Sequence, residues 1–170
     1  MRYTPLIVTL LLLAGCSHSY PPPPQRMFPI ERSELDPPYM DVMAIDAGDY
    51  VVKDIDLLNG IADRRWTREH PELRFLLNST EGQKFVADVI LEEFVLERTG
   101  PLSITIWING NRLESYRFDK SKETHLEKPV PAAWLKTGEY THVVLQPDKV
   151  FTGDDGVKFG FSLYRAGFVE

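Results

Sequence analysis

Two places in the sequence combine a large aromatic ring with polar side chains. Arg65 precedes Trp66, and Trp107 lies in an alternating run that turns it toward Tyr116 across a predicted hairpin. Aromatic rings pack on the C–H surface of a sugar while neighbouring polar groups bind its hydroxyls. We therefore predict ligand contacts for Arg65, Trp66, Trp107 and Tyr116. The alternative for each tryptophan is a core position, because large aromatic residues are mostly buried, and Trp134 is expected to plug a corner of the fold.

Residues that could catalyse hydrolysis do not converge in the sequence. Glu92-Glu93 and Asp154-Asp155 are adjacent pairs, which a strand directs to opposite faces instead of toward one bond. The serines form no Gly-x-Ser-x-Gly elbow. No metal-ligand spacing connects the four histidines, which are His18, His70, His125 and His142. We expect no catalytic residue and no enzyme activity.

The elements that must position these side chains are short β-strands. The run 102–108 alternates, with four aliphatic residues inward and Ser103, Thr105 and Trp107 outward, and Asn109-Gly110 predicts a hairpin turn after it. Further strands are predicted at residues 50–57 (closed by Asn59-Gly60), 72–77, 84–94, 112–118, 140–146 and 157–164. Helix is expected only at residues 131–138, stopped by Gly138, and weakly at residues 60–67. The pattern predicts one all-β domain over residues 46–170, an antiparallel β-sandwich.

Several of these runs resemble the galactose-binding-like jelly rolls of bacterial envelope and glycan-linked proteins. The similar segments are Arg65-Trp66-Thr67, residues 72–76, residues 100–110, residues 131–140 and residues 155–163. The resemblance implies a jelly-roll sandwich. Such domains often bind carbohydrate, but others serve only as packing or interaction modules, so fold alone does not assign a function.

The same resemblance raises the question of a structural calcium ion near the first predicted strand. Asp54, Asp56 and Asn59 supply oxygens there, but Ca²⁺ needs about six to eight oxygen ligands. We favour the simpler interpretation, a solvated strand end followed by an Asn-Gly turn. We expect no metal and no other cofactor.

The N-terminus carries a targeting signal. One positive charge at Arg2 precedes the apolar run 6–13, which is too short for a permanent membrane span, and Leu13-Ala14-Gly15-Cys16 follows. This order resembles a bacterial lipoprotein signal. It implies cleavage after residue 15, acyl chains on Cys16 and anchoring in the lipid bilayer, with an ordinary secretory signal as the alternative. In such lipoproteins Ser17, in place of Asp, favours the outer membrane, facing the periplasm or the cell surface.

A proline-rich linker is predicted over residues 16–45. Seven of the 13 prolines lie within residues 21–38. Proline fixes φ and removes backbone donors, which favours extended polyproline-like chain. At about 3.1 Å per residue, such a stalk reaches roughly 90 Å from the lipid.

The net charge and the cysteine content exclude two other classes of protein. The formal net charge is −6, and it becomes −7 without residues 1–15, whose one charge is Arg2, so no nucleic-acid partner is expected. A single cysteine excludes a disulfide scaffold. Two hypotheses remain: a carbohydrate-binding-like module tethered to the membrane, or a structural lipoprotein that binds another envelope protein without sugar affinity.

Overall fold

The structure is a computed structural model that describes residues 38–170. The predicted signal peptide at residues 1–15, the lipid attachment at Cys16 and most of the predicted linker lie outside the described residues. Within residues 38–170, no helix has the length and apolar character needed to cross a membrane.

Strands dominate the described part of the chain. Residues 38–170 form eleven strands, two short helices and one 3₁₀ turn. They are β1 (Tyr39–Asp41), α1 (Ala47–Tyr50), β2 (Val51–Ile61), β3 (Arg64–Leu76), β4 (Lys84–Ile90), α2 (Glu93–Thr99), β5 (Leu102–Ile108), β6 (Asn111–Phe118), β7 (Thr124–Pro129), the 3₁₀ turn (Ala132–Trp134), β8 (Tyr140–Pro147), β9 (Phe151–Thr152), β10 (Lys158–Phe159) and β11 (Ser162–Val169). The predicted all-β class is confirmed. The sheet also takes in residues 39–41, ahead of residue 46, where we placed the start of the domain.

Nine of these strands form one sheet in the order β6-β5-β8-β3-β11-β4-β7, with β1 paired to β11 and β2 to β3. Every strand pair within residues 38–170 is antiparallel. We call β6, β5 and β8 the β5–β8 half, and β11, β4, β7 and β1 the β4–β11 half. Strands β9 and β10 form a separate hairpin.

The long strand β3 belongs to both halves. Its residues 72–76 pair with β8, whereas Arg65 and Trp66 pair with β11. The side chain of Phe75 therefore meets residues of the opposite half: its ring centroid lies 5.5 Å from that of Phe168, which is 5.6 Å from that of Phe85. These contacts close the antiparallel sandwich around one core.

The alternation predicted for β5 is confirmed. Leu102, Ile104, Ile106 and Ile108 are at most 1% exposed, and the three residues between them lie partly exposed on the outer face. The predicted turn follows, with φ of 47° at Asn109 and 80° at Gly110. Both residues have the left-handed backbone that a tight two-residue hairpin needs.

Side chains connect the two end strands of the folded sheet, β6 and β7. The Tyr116 hydroxyl donates to the Glu127 carbonyl oxygen at 3.2 Å, and Lys128 Nζ lies 2.5 Å from a carboxylate oxygen of Glu114. The two ends of the folded sheet are thereby linked to each other by side chains.

The predicted end of the first strand is wrong. Strand β2 continues through Asn59 and Gly60, and the chain turns at Ala62 and Asp63. Residues 60–67, predicted weakly as helix, form the end of β2, this turn and the start of β3. An irregular register between Asp56 and Gly60 absorbs the extra residues of β2, so the Asn-Gly pair is not needed as a turn.

Helix boundaries also differ from the prediction. The strand expected over residues 84–94 ends at Ile90, and α2 follows until Gly100, whose φ of 69° ends it. The helical turn expected over residues 131–138 ends at Trp134, ahead of Gly138.

Candidate functional site

One row of side chains crosses the three strands of the β5–β8 half and continues onto β3 and β2, on the outer face of the sheet. Backbone pairing joins Arg112 to Trp107, Trp107 to Val144, Val144 to Glu72, and Glu72 to Lys53. Directly paired residues point to the same face of a sheet. Since the alternate residues of β5 are buried, this row faces outward.

The row forms part of an open groove of about 550 Å³, which we call the Trp107 groove. It is lined by Glu72, Trp107, Asn109, Gly110, His142, Val144 and Gln146. Glu72 is held in place by two partners, because its carboxylate lies 2.9 Å from His142 Nδ1 and 3.5 Å from Lys53 Nζ. Its side chain is only 19% exposed, so the carboxylate is fixed against the sheet.

Asn109 fixes the hairpin turn at one end of the groove. Its backbone N–H donates to the carbonyl oxygen of His142, and its Oδ1 accepts from the backbone N–H of His142, both at 2.9 Å. Its Nδ2 donates to the carbonyl oxygen of Trp134 at 2.8 Å. The turn, strand β8 and the 3₁₀ turn are thereby held together beside the groove.

Trp107 carries the feature of the groove that most needs an explanation. Its indole Nε1 is buried and has no hydrogen-bond partner among residues 38–170. A buried N–H without an acceptor is unfavourable by about 1–3 kcal/mol. Native proteins contain few such groups, and local strain or a bound water can account for one.

The groove offers several kinds of contact to a ligand. The Trp107 ring and Val144 provide apolar surface, Gln146 provides an amide, and Glu72 with His142 provides a fixed carboxylate and imidazole. An aromatic surface beside planar polar groups suits a neutral ligand with several hydroxyl groups.

Arg65 and Trp66 lie outside this groove. Trp66 is 9% exposed and packs edge-on against Phe94 and Phe159, with centroids 5.5 and 5.3 Å away. Arg65 Nε donates to the Leu57 carbonyl oxygen at 2.9 Å. Their ligand contacts stay a prediction, and their positions match the alternative of a core tryptophan.

Tyr116 does not share a face with Trp107, so that part of the sequence prediction is wrong. Trp107 pairs with Arg112, but a register shift follows and Ile104, an inward residue, pairs with Tyr116. One bulged residue reverses the face of every later side chain in the strand. Burial, followed by the Glu114 charge, raises the pKa of Tyr116 above its ordinary value. A ligand contact by Tyr116 stays a prediction.

The oxygens considered for calcium have protein partners. Asp56 Oδ1 accepts from the backbone N–H groups of Leu58 and Asn59 at 3.2 and 3.0 Å, and Arg68 lies 2.9 Å from Oδ2. Burial raises the pKa of Asp56, but these hydrogen bonds and the Arg68 charge outweigh it and hold the pKa below its ordinary value. Asp54 accepts from the backbone N–H of His70 at 2.9 Å. Among the described residues, no group of three or more His, Cys, Asp or Glu is arranged to hold a metal ion.

The remaining acidic and histidine candidates are dispersed over the described structure. Glu92 lies 2.7 Å from Arg64 Nε, and Asp155 accepts from the backbone N–H of Val157. His125 lies on the β4–β11 half, whereas His142 lines the Trp107 groove.

Sequence reasoning missed Glu72, His142, Val144 and Gln146 as site residues. The last three occupy the outward positions of β8, whose alternation was visible in the sequence. The alternation of β8 could have placed these three residues on one face, but it could not show that β8 lies between the strands that carry Trp107 and Glu72.

Comparison with known proteins adds little to this description. No protein-family model and no curated protein matches the chain. Among solved structures, the CBM51-2 and INT domains of ZmpB from Clostridium perfringens align with a TM-score of 0.38 and 11% identity, over 79% of this chain and 29% of that one. The chain thus spans less than a third of the length of that structure.

Proposed function

We propose that this protein is a non-catalytic, membrane-anchored envelope lipoprotein whose β-sandwich binds carbohydrate in the Trp107 groove. The observation that carries the proposal is the position of the Trp107 indole in one groove with Glu72, His142 and Gln146. The resemblance of the sequence to galactose-binding-like domains supports the same proposal.

The chemistry of the groove fits a sugar ring. One face of a sugar is a patch of C–H groups, which packs on an aromatic ring, and its rim carries hydroxyl groups that both donate and accept hydrogen bonds. Glu72 is held by His142 and Lys53, so its carboxylate is already oriented when a ligand arrives. Preorganised polar groups lose little entropy on binding.

Glycan binding is tested with the detergent-solubilised full chain on a glycan array, followed by titration calorimetry. We expect Trp107→Ala to abolish binding, and circular dichroism melting checks that the variant is folded at the assay temperature. The matched control is Phe94→Ala, which removes a 39% exposed ring from α2, away from the groove. Sugar binding that survives Trp107→Ala unchanged would overturn this site.

Membrane anchoring is supported by the order Leu13-Ala14-Gly15-Cys16. Growth with a radioactive or clickable fatty acid should label the wild-type chain and leave the Cys16→Ala variant unlabelled and outside the membrane fraction. The control is Ser17→Ala, which keeps the thiol. Equal labelling of the Cys16→Ala variant would refute lipidation at this residue.

A second candidate, an assembly lipoprotein that binds another envelope protein, is favoured by exposed apolar side chains near the turn between β2 and β3. Leu58 is 93% and Ile61 39% exposed. A photo-crosslinking residue at position 58 should give a protein adduct in intact envelopes, and one at position 52, also exposed on β2, should not. The absence of an adduct at position 58 would remove this candidate.

A further inference from the structure

We infer that one end of the sandwich docks a partner protein whose contact surface has apolar side chains bordered by lysine or arginine. The docking surface consists of four exposed hydrophobic residues, which we call the tip patch: Met43, Ile45, Leu58 and Ile61. The inference rests on the second candidate above and deepens it, because it adds a second chain segment to the surface and names the chemistry of the partner.

Large hydrophobic side chains that are exposed concentrate in the tip patch. Seven such side chains occur within residues 38–170, and four of them belong to the patch. Ile45 is fully exposed, and Leu58 is 93% exposed. Single exposed hydrophobic residues are normal on a protein surface, whereas several of them in one place mark an interaction site.

The two segments that carry the patch meet at one end of the fold. Met43 and Asp63 line the same small groove, so the chain that follows β1 lies beside the turn between β2 and β3. Farther along, the Cβ position at Gly48 lies 3.9 Å from Cδ1 of Leu57, the residue before Leu58. Residues 43–48 therefore run alongside residues 57–63, and their exposed side chains form one surface.

A built irregularity of β2 holds Leu58 outward. On one side, Asp56 Oδ1 accepts from the backbone N–H of Leu58 at 3.2 Å, and on the other, Arg65 Nε donates to the Leu57 carbonyl oxygen at 2.9 Å. Gly60 is required there, because a Cβ would clash with a backbone carbonyl oxygen of β3. Such bulges redirect a side chain and are kept as features of a sheet. A leucine whose backbone is fixed in this way loses little entropy when a partner covers it.

The charges at the border of the patch are acidic. In residues 41–46 and 58–63 every charged residue is an exposed aspartate: Asp41, Asp46 and Asp63. Two arginines lie nearby but are paired with other carboxylates. Arg64, whose side chain is 18% exposed, lies 2.7 Å from Glu92 as well as 3.6 Å from Asp63, and Arg165 lies 3.4 Å from Asp88. An apolar surface bordered by carboxylates is complementary to apolar residues bordered by basic ones.

The same carboxylates disfavour two other occupants. A second copy of the chain that docked patch to patch would bring the three aspartates of each copy against those of the other. An anionic lipid surface would likewise be repelled by them. A protein with basic residues beside its apolar contacts satisfies both features of the patch.

The test places a photo-crosslinking residue at position 45 or position 58 of the full chain in intact envelopes. Both positions should give an adduct with the same protein, and mass spectrometry should locate the crosslink in the partner beside lysine or arginine. Position 140 is the control, because Tyr140 is 44% exposed but pairs with Leu76 at the other end of β3.

Charge reversal tests the chemistry of the partner. Asp46→Lys combined with Asp63→Lys should lower the yield of the adduct at position 58 by about tenfold, because two attractive contacts become repulsive. The matched control is Glu81→Lys, which reverses an exposed acid in the connection that follows the far end of β3 and should leave the yield unchanged. Circular dichroism melting checks that each variant is folded.

The possible results separate this inference from the second candidate. A protein adduct at position 58 that is missing at position 45, or whose yield survives the charge reversal, would overturn the inference and leave protein binding intact. An adduct with lipid or with a second copy of the chain at both positions would also overturn it. If position 58 gives no adduct, the inference and the second candidate are both refuted, whereas sugar binding is tested separately by Trp107→Ala.

Discussion

Each half of the sandwich carries a histidine–carboxylate pair on its outer face, but the surroundings of the two pairs differ. On the β5–β8 half, His142 Nδ1 lies 2.9 Å from Glu72, and on the β4–β11 half, His125 Nδ1 lies 2.6 Å from Asp88. The first pair borders Trp107 and an open groove. The second lies in a row of charged residues.

The residues of that charged row lie side by side on four neighbouring strands. Asp41 on β1, Arg165 on β11, Asp88 on β4 and His125 on β7 stand opposite one another in register. Arg165 Nε lies 3.4 Å from the second carboxylate oxygen of Asp88. Arg165 and His125 both contact the Asp88 carboxylate, and the Asp41 carboxylate accepts from the backbone N–H of Met43, so the polar groups of this row already have protein partners.

A smaller groove of about 370 Å³ lies beside the charged row, and its lining is mostly ionic. Its one aromatic ring, that of Tyr164, has the Arg64 guanidinium 5.6 Å from its centroid. The two pairs therefore differ in their surroundings. The pair at the Trp107 groove lies beside uncharged apolar surface, and the proposed binding site rests on that surface and not on the pair alone.

The largest loss of stability is expected from a substitution in the core that the two halves share. Phe75→Ala removes a ring that packs against Phe168 of the opposite half and against Tyr50, and should lower the free energy of unfolding by about 3–5 kcal/mol. Both outer faces should be lost in one cooperative transition, measured by urea unfolding with circular dichroism. A loss below about 1 kcal/mol would contradict the view that this ring joins the halves.

The comparison itself is tested by neutralising one carboxylate on each face. Glu72→Gln should weaken sugar binding about tenfold or more, because it removes an oriented acceptor, and should lower stability by up to about 1 kcal/mol, because its partners are half exposed. Asp88→Asn should leave binding unchanged and lower stability by up to about 1 kcal/mol, because its partners are half exposed.

Calorimetric titration and chemical unfolding of both variants measure the two effects separately. Equal loss of binding in Asp88→Asn and Glu72→Gln would show that the two faces do not differ in the way proposed.

The sequence predicted the local parts of this structure well. The alternation of β5 and the Asn109-Gly110 turn depend on neighbouring residues alone, and both were located correctly. The helix predicted weakly at residues 60–67 was wrong. The hydrophobic spacing there is irregular because β2 bulges, and only the pairing between β2, β3 and β11 shows that these residues form strands.

The candidate site could be predicted only in part. Trp107 was identified, but Glu72 reaches the same row because β8 inserts between β5 and β3, a long-range arrangement that no local pattern contains. Tyr116 was assigned to the wrong face by one bulged residue in β6. Without that bulge, hairpin register would place Tyr116 opposite Ser103, on the face of Trp107.

The smallest effect is expected on the pH dependence of the free energy of unfolding, through Glu127 on the face that carries the charged row. The hydrogen bond and charge of Lys84, with a further contribution from His125, lower the pKa of Glu127 below its ordinary value of 4.5. A carboxyl whose pKa is lower in the folded state stabilises the fold above its unfolded pKa, and that contribution is lost as the pH falls through the folded value. The free energy of unfolding should therefore decrease between about pH 5 and pH 3, and Glu127→Gln should flatten this slope. Lys84→Gln should flatten it less than Glu127→Gln does, because the His125 contribution remains, and the double variant should match Glu127→Gln. Urea unfolding across this pH range measures the slopes, and parallel curves for wild type and Glu127→Gln would show that the Lys84 pairing contributes nothing to the stability of the charged face.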